Sequence, residues 1–190
     1  CSWCWAFNKT WAAIQAGLPD GIELRYLLGG LAPDSDQPMD AGLKERISSG
    51  WYRIQQHVPG TQFNHDFWAL CQPRRSTYPA SRAIIVARMM DKAAEKPMLL
   101  AIQQAYYLQA KNPADDEVLI ECAGSIGLDA SEFTEWLNHP ATQQQLLMEI
   151  KLAREMGANS FPSIVLQQAG QTTLLTYDYN DPQVILSQLV

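Results

Sequence analysis

The sequence predicts an α/β fold in which a long all-helical stretch interrupts a small sheet domain. Three observations carry that prediction. The chain opens on a helix with apolar spacing and a C-x-x-C at its tip, Cys1-Ser2-Trp3-Cys4. Strand patterns occur only near residues 22–28 and again near 163–177. Between them, after a loop rich in Pro and Asp from Pro33 to Pro38, the signals are helical. Strands must meet to form a sheet, so the helical block has to leave the sheet domain and return to it.

The first helix rests on Cys1, Cys4, Phe7, Trp11, Ile14 and Leu18, which recur at steps of three and four and so share one stripe. Gly17 and Pro19 supply its stop signals. A stripe of this kind faces a core. Cys4 is therefore expected to be mostly covered, and Cys1, at the tip, to be the exposed sulfur. The unpaired N–H groups and the dipole of a helix N-terminus favour a thiolate there. In such positions and in C-x-x-C motifs a thiol pKa falls from about 8.5 into the range of about 3.5–7.5. The pattern assigns Cys1 as nucleophile and Cys4 as the sulfur that resolves the mixed disulfide.

After this helix, Ile22, Leu24, Tyr26 and Leu28 alternate with Glu23 and Arg25, which predicts a strand closed by Gly29-Gly30. Leu43, Ile47, Trp51 and Ile54 predict a helix over 40–58, ended by Pro59-Gly60. Further helices are expected over 80–96, from Pro97 to 111, over 115–126, from Ser131, and from Pro140 to Met156 with Gly157 just past its end. The pattern then changes. Residues 163–167 and 172–177 read as two strands around turn material at Ala169-Gly170-Gln171, and Asp181-Pro182 starts a terminal helix. A sheet with its C-x-x-C helix ordinarily has a strand immediately before that helix. Either a fourth strand precedes Cys1, or the sheet is small.

The formal net charge of -6, with no basic run, argues against nucleic acid as a partner. No apolar stretch reaches the ~18–20 residues of a membrane span. Cys71 and Cys122 lie apart from each other and from the motif, and both read as small buried hydrophobes. Spare thiols beside an oxidising site would mispair in an oxidising compartment, which favours a cytoplasmic setting. Structural zinc is disfavoured: a second C-x-x-C is missing, and His57, His65 and His139 are scattered. No metal is expected. The Gln143–Gln145 run and Arg74-Arg75 read as solvated surface.

Taken with its order of elements, the chain resembles the DsbA-like branch of the thioredoxin superfamily, and within it the FrnE-like protein-disulfide isomerases. The residues that carry the resemblance are Cys1-Ser2-Trp3-Cys4-Trp5-Ala6-Phe7, the segment ending in Gly29-Gly30, Tyr78-Pro79-Ala80-Ser81-Arg82-Ala83, and Ser160-Phe161-Pro162-Ser163. The resemblance implies a thioredoxin-like fold with a large helical insertion: residues 1–30 and 141–190 would form the thioredoxin-like domain, and 31–140 the insertion. It also implies that Pro162 is the family's cis-proline, lying against the two sulfurs, with Phe161 and Pro162 binding substrate backbone by strand addition. Phe161 departs from the Val or Thr often found there, and its ring is expected to narrow what binds. In this superfamily the residues between the cysteines, here Ser2 and Trp3, tune the redox couple. Neither is cationic, so a milder oxidant than the strong periplasmic members is expected.

The expected function is thiol–disulfide exchange or disulfide isomerisation through the Cys1/Cys4 couple. Protein thiols and disulfides or small thiols would be partners, glutathione among them, with no metal or organic cofactor. Two alternatives compete. One is a glutathione-dependent isomerase or kappa-class glutathione transferase on the same scaffold, although those enzymes typically carry Ser where Cys1 stands. The other is a non-catalytic peptide-binding or chaperone module using the aromatic residues near the start, of which Trp3 is expected to be exposed while Trp5 and Trp11 pack inside.

Overall fold

The computed structural model describes residues 1–189. Its chain divides into two compact units. The first comprises Cys1–Gly29, Arg53–Thr61 and Glu149–Val190, and the second Gly30–Tyr52 and Gln62–Met148. The chain leaves the first unit after Gly29. It returns to it for good at Glu149, and the segment Arg53–Thr61 also belongs to the first unit.

In the first unit, helix α1 (Ser2–Ala16) has Cys1 as its N-cap, and Gly17 closes it by donating its N–H to Ala13 and Ile14. Phe7 and Ile14 from its apolar stripe form a core with Leu175 and Ile185, flanked by Trp11, Leu18, Ile164 and Leu166. Strands β1 (Val165–Gln168) and β2 (Gln171–Leu174) pair antiparallel, with Val165 opposite Leu174 and Gln168 opposite Gln171. The Leu175 N–H extends the ladder to the Ile164 carbonyl at 2.9 Å. Ala169 and Gly170 join the strands with φ of 49° and 79°, the two positive values that a tight type I′ hairpin requires. Helix α9 (Gln183–Leu186) is the terminal helix announced by Asp181-Pro182, and the Asp181 carboxylate accepts the Gln183 N–H at 2.8 Å.

The segment 22–28 forms no ladder among the described residues, which corrects the strand expected there. Alternation makes a strand only when a second backbone lies alongside to accept its hydrogen bonds. Here the Leu28 N–H goes instead to a side chain, the buried carboxylate of Glu149, at 3.1 Å.

The second unit is helical. It holds most of α2 (Ala41–His57), then α3 (Phe67–Leu70), α4 (Tyr78–Met90), α5 (Glu95–Tyr107), α6 (Asp116–Ser125), α7 (Ala130–Leu137) and the first part of α8 (Pro140–Glu155). The single helix expected over 80–96 is broken. Asp91 is extended, its carboxylate caps a short 3₁₀ turn (Lys92–Ala94) through the Ala93 N–H at 2.8 Å, and α5 begins anew with Pro97 in its first turn. Asp competes with the helix backbone for hydrogen bonds and so favours such a cap. Helix α3 was not anticipated, because four residues are too few to show a period. Trp51 anchors the core: it is fully buried, stacks on Phe63 at 4.7 Å and meets Phe67, Trp68 and Tyr107. In α4 the buried Arg82 guanidinium makes a two-pronged pair with Asp34, at 2.8 and 2.9 Å, and donates also to Gln143 and Asn138. Cys122 is buried as expected, whereas Cys71 is only half-buried and donates to the Ala110 carbonyl at 3.0 Å. No described helix is long and apolar enough to cross a membrane.

Candidate functional site

The site is built on the first turn of α1. Cys1 takes the N-cap position that Ser or Asp usually fills, and its Sγ accepts the Cys4 N–H at 3.3 Å. One of the orphan donors of the helix end is thereby turned onto sulfur, an arrangement that favours negative charge there. The same Sγ lies 3.4 Å from the Phe161 carbonyl, to which its S–H donates. Cys1 is exposed and Cys4 half-buried, as the stripe predicts, and both are free thiols. Burial pushes the Cys4 thiol above the ordinary cysteine range. The two sulfurs are thus chemically unequal: one is open with hydrogen-bond partners, the other is covered and held as thiol.

The loop beside them is fixed from both sides. The Ser163 hydroxyl donates to the Ser160 carbonyl at 2.6 Å, and the ladder takes over at Ile164. Between these ties lies the Phe161–Pro162 peptide, which is cis. From this loop the Phe161 carbonyl reaches the Cys1 sulfur, although 160 positions separate the two residues.

Gly29 and Gly30 are required for different reasons. Gly30 has a φ of 57°, in the left-handed region that favours glycine. Gly29 is not left-handed, but a Cβ there would stand 1.8 Å from Cε1 of Phe161. Sequence reading took both as the punctuation of a strand.

Ser2 and Trp3, expected to tune the couple, form the first turn of α1, and both are half-buried. The expectation that Trp3 is exposed is corrected. Its ring packs against Tyr179 at 4.8 Å and His57 at 5.7 Å. Tyr179 was missed by sequence reading. It also meets Phe7 and Tyr177, and its carbonyl accepts the Thr10 hydroxyl. Burial first, then a hydrogen bond with Tyr177, push its phenol well above the usual tyrosine range, and the charge of Cys4 adds in the same direction. The available sequence signal was the alternation of Tyr177 and Tyr179. His57 gave none, since nothing near it in sequence relates it to Trp3. Among the described residues no group of His, Cys, Asp and Glu is arranged to hold a metal ion.

Comparison with known proteins fits this geometry. The family model described as Thioredoxin matches residues 1–185. Among solved structures, a "putative protein disulfide isomerase" from Nitrosomonas europaea superposes with a TM-score of 0.84 at 23% identity, covering 100% of this chain and 90% of that one. The cytosolic disulfide reductase DsbM from Pseudomonas aeruginosa gives 0.76 at 25% identity, covering 100% and 88%; it has also been solved with GSH. Among curated proteins, the ClpXP adapter protein SpxH of Halalkalibacterium halodurans is 25% identical over 169 residues, which are 87% of this chain and 55% of that protein. The chain spans about half the length of the curated relatives it matches. With a family match over nearly its whole length and solved neighbours that share its fold, the chain belongs to the thioredoxin family.

Proposed function

We propose that this chain is a thiol–disulfide oxidoreductase working through Cys1 and Cys4. One observation carries the reading: an exposed sulfur at a helix N-cap accepts the Cys4 N–H and contacts the Phe161 carbonyl, while the second sulfur of the C-x-x-C lies covered behind it. In the reducing direction the Cys1 thiolate attacks one sulfur of a substrate disulfide. That S–S bond breaks, one substrate thiolate leaves, and a Cys1–substrate mixed disulfide forms. Cys4 then gives up its proton and attacks the Cys1 sulfur, which releases the second thiolate and leaves a Cys1–Cys4 disulfide. Two electrons have passed from the dithiol to the substrate. Run backwards, the same steps oxidise a substrate dithiol.

Phe161 and Pro162 are the substrate-binding loop, and an extended segment hydrogen-bonds along the Phe161 backbone. Ser2 and Trp3 modulate the couple, Trp3 from within its contact with Tyr179 and His57. No metal or organic cofactor takes part. Protein thiols and small thiols are the partners. The structural likeness to DsbM, a cytosolic reductase solved with GSH, supports glutathione as one of them and a cytoplasmic setting. Isomerase action would use the same first step, with the mixed disulfide resolved by another substrate thiol.

Equilibration of the Cys1–Cys4 couple against glutathione buffers, read by Trp fluorescence, tests the reading. A two-electron couple is expected, lost in Cys1→Ser, with a potential more reducing than about -120 mV. Absence of a disulfide-forming couple refutes the proposal.

The ClpXP adapter relatives favour a second reading, a binding module that holds a client without turning over its thiols. Cys1→Ser separates the two: exchange disappears on the first reading, whereas client binding survives on the second.

A further inference from the structure

We propose that Gly29 is a positioning residue for the exchange site: the bare space over its backbone seats the Phe161 ring, and this seating holds the Phe161 carbonyl against the Cys1 sulfur. The inference rests on the oxidoreductase reading and deepens it, because it also names the substrate class that the seating serves, disulfides carried on extended peptide.

The geometry is tight. A Cβ at position 29 would lie 1.8 Å from Cε1, 2.5 Å from Cζ and 3.0 Å from Cδ1 of Phe161. These overlaps exceed what a shift of a few tenths of an ångström relieves, so the ring would have to leave. The backbone of Gly29 is not left-handed, unlike that of Gly30 at φ 57°. A positive φ therefore does not bar alanine at 29, and the three atoms nearest to its Cβ would all belong to the ring. The requirement is reciprocal: a large residue at 161 needs an empty position at 29. The ring occupies the space that a Cβ at position 29 would take.

A displaced ring has two ways out. The Phe161 backbone can tilt with it, but that backbone is tied by Ser163 on Ser160 and by the ladder at Ile164. Tilting moves the carbonyl that now lies 3.4 Å from Cys1 Sγ. Alternatively the side chain rotates alone and fills space beside the loop where a substrate backbone would pass. Both harm a peptide substrate that pairs with the loop. Neither obstructs a small disulfide that meets only the sulfur.

The test compares Gly29→Ala, Phe161→Val and the double variant, with a glutathione mixed disulfide of a cysteine peptide and with 2-hydroxyethyl disulfide, reduced glutathione in each case returning the Cys1–Cys4 disulfide to the dithiol. Misplacement of about 1 Å at a reacting centre can cost about 100-fold, so Gly29→Ala is expected to lower kcat/KM for the peptide about 10- to 100-fold, mainly through KM, with hydroxyethyl disulfide changed less than about threefold. The double variant is expected to match Phe161→Val alone. Equal losses on both substrates, no loss, or a double variant no better than Gly29→Ala overturns the inference. So does a double variant that fails to fold where Phe161→Val folds. Should the unaltered protein exchange neither substrate, the oxidoreductase reading falls by itself. The seating is then decided by a crystal structure of Gly29→Ala: a Phe161 carbonyl still in contact with Cys1 Sγ refutes it, and a displaced carbonyl or a ring moved over the loop supports it.

Discussion

Cys1 and Cys4 are the same side chain in two environments, and the difference has consequences that can be measured. Cys1 is exposed at the helix cap, while burial holds Cys4 as thiol. Iodoacetamide at pH 7, followed by peptide mapping, is expected to modify Cys1 well before Cys4; the reverse order would contradict the assignment of roles. The same burial links stability to pH. The Cys4 and Cys122 thiols are raised in the folded chain, mainly by desolvation. As pH rises the unfolded chain ionises first, near the ordinary thiol value of about 8.5. The stabilisation is therefore complete below that pH and is lost as pH climbs through the folded values. A urea midpoint level from about pH 6 to 8 and falling above about 8.5 is expected, with a shallower fall in Cys4→Ser. Much of this site was legible in the sequence, because the i, i+3 spacing puts both sulfurs on the stripe that faces the core and the place of Cys1 at the helix tip leaves it the exposed one. The company kept by Trp3 was not. His57 and Tyr179 lie far along the chain, and only the folded path brings them to the Trp3 ring.

At the scale of elements, the helices were readable because their signals are local. Gly157 stands just past α8 as its pattern requires, and α2 starts beside Asp40, whose carboxylate accepts the Leu43 N–H at 2.9 Å; α7, expected from Ser131, is instead capped two residues earlier by Asp129, which accepts the Glu132 N–H at 2.8 Å. Strand 22–28 failed for the opposite reason: its pattern was local but its partner was not. The hairpin succeeded because both strands and their turn fit within one short segment. Its turn nevertheless carries a mismatch. Ala169 sits at φ 49°, where a side chain costs about 1–2 kcal/mol. Asn adopts that region readily, so Ala169→Asn is expected to stabilise by about 0.5–1 kcal/mol, a Tm rise of about 1–4 °C. Gly170→Ala, at φ 79°, is expected to destabilise by a similar amount. Calorimetry of the two variants checks both signs. A fall in Ala169→Asn would mean that the turn is not the limiting feature of the hairpin.

On the scale of the whole chain, the first unit is assembled from three separated segments, and the longest interruption is 62–148. The helical order of that interruption therefore matters to a core it does not belong to. If 62–148 unfolded while the first unit stayed folded, a disordered loop of that length would have to be held closed, costing about 4 kcal/mol by the logarithmic loop term. Among the described residues the first unit has a core cluster around Phe7, Ile14, Leu175 and Ile185 and a two-stranded sheet, a modest reserve to set against that cost. The two units are expected to unfold together. Trp51→Ala is the direct probe. The residue is fully buried in the second unit, and its loss should remove about 3–5 kcal/mol. Far-UV circular dichroism follows mainly the helices, and alkylation of Cys4 follows the first unit. In Trp51→Ala both midpoints should fall, and they should coincide. Cys4 remaining protected well past the helical transition would show that the first unit carries enough stability of its own to close a disordered loop, and that the exchange site stands independent of the inserted helices.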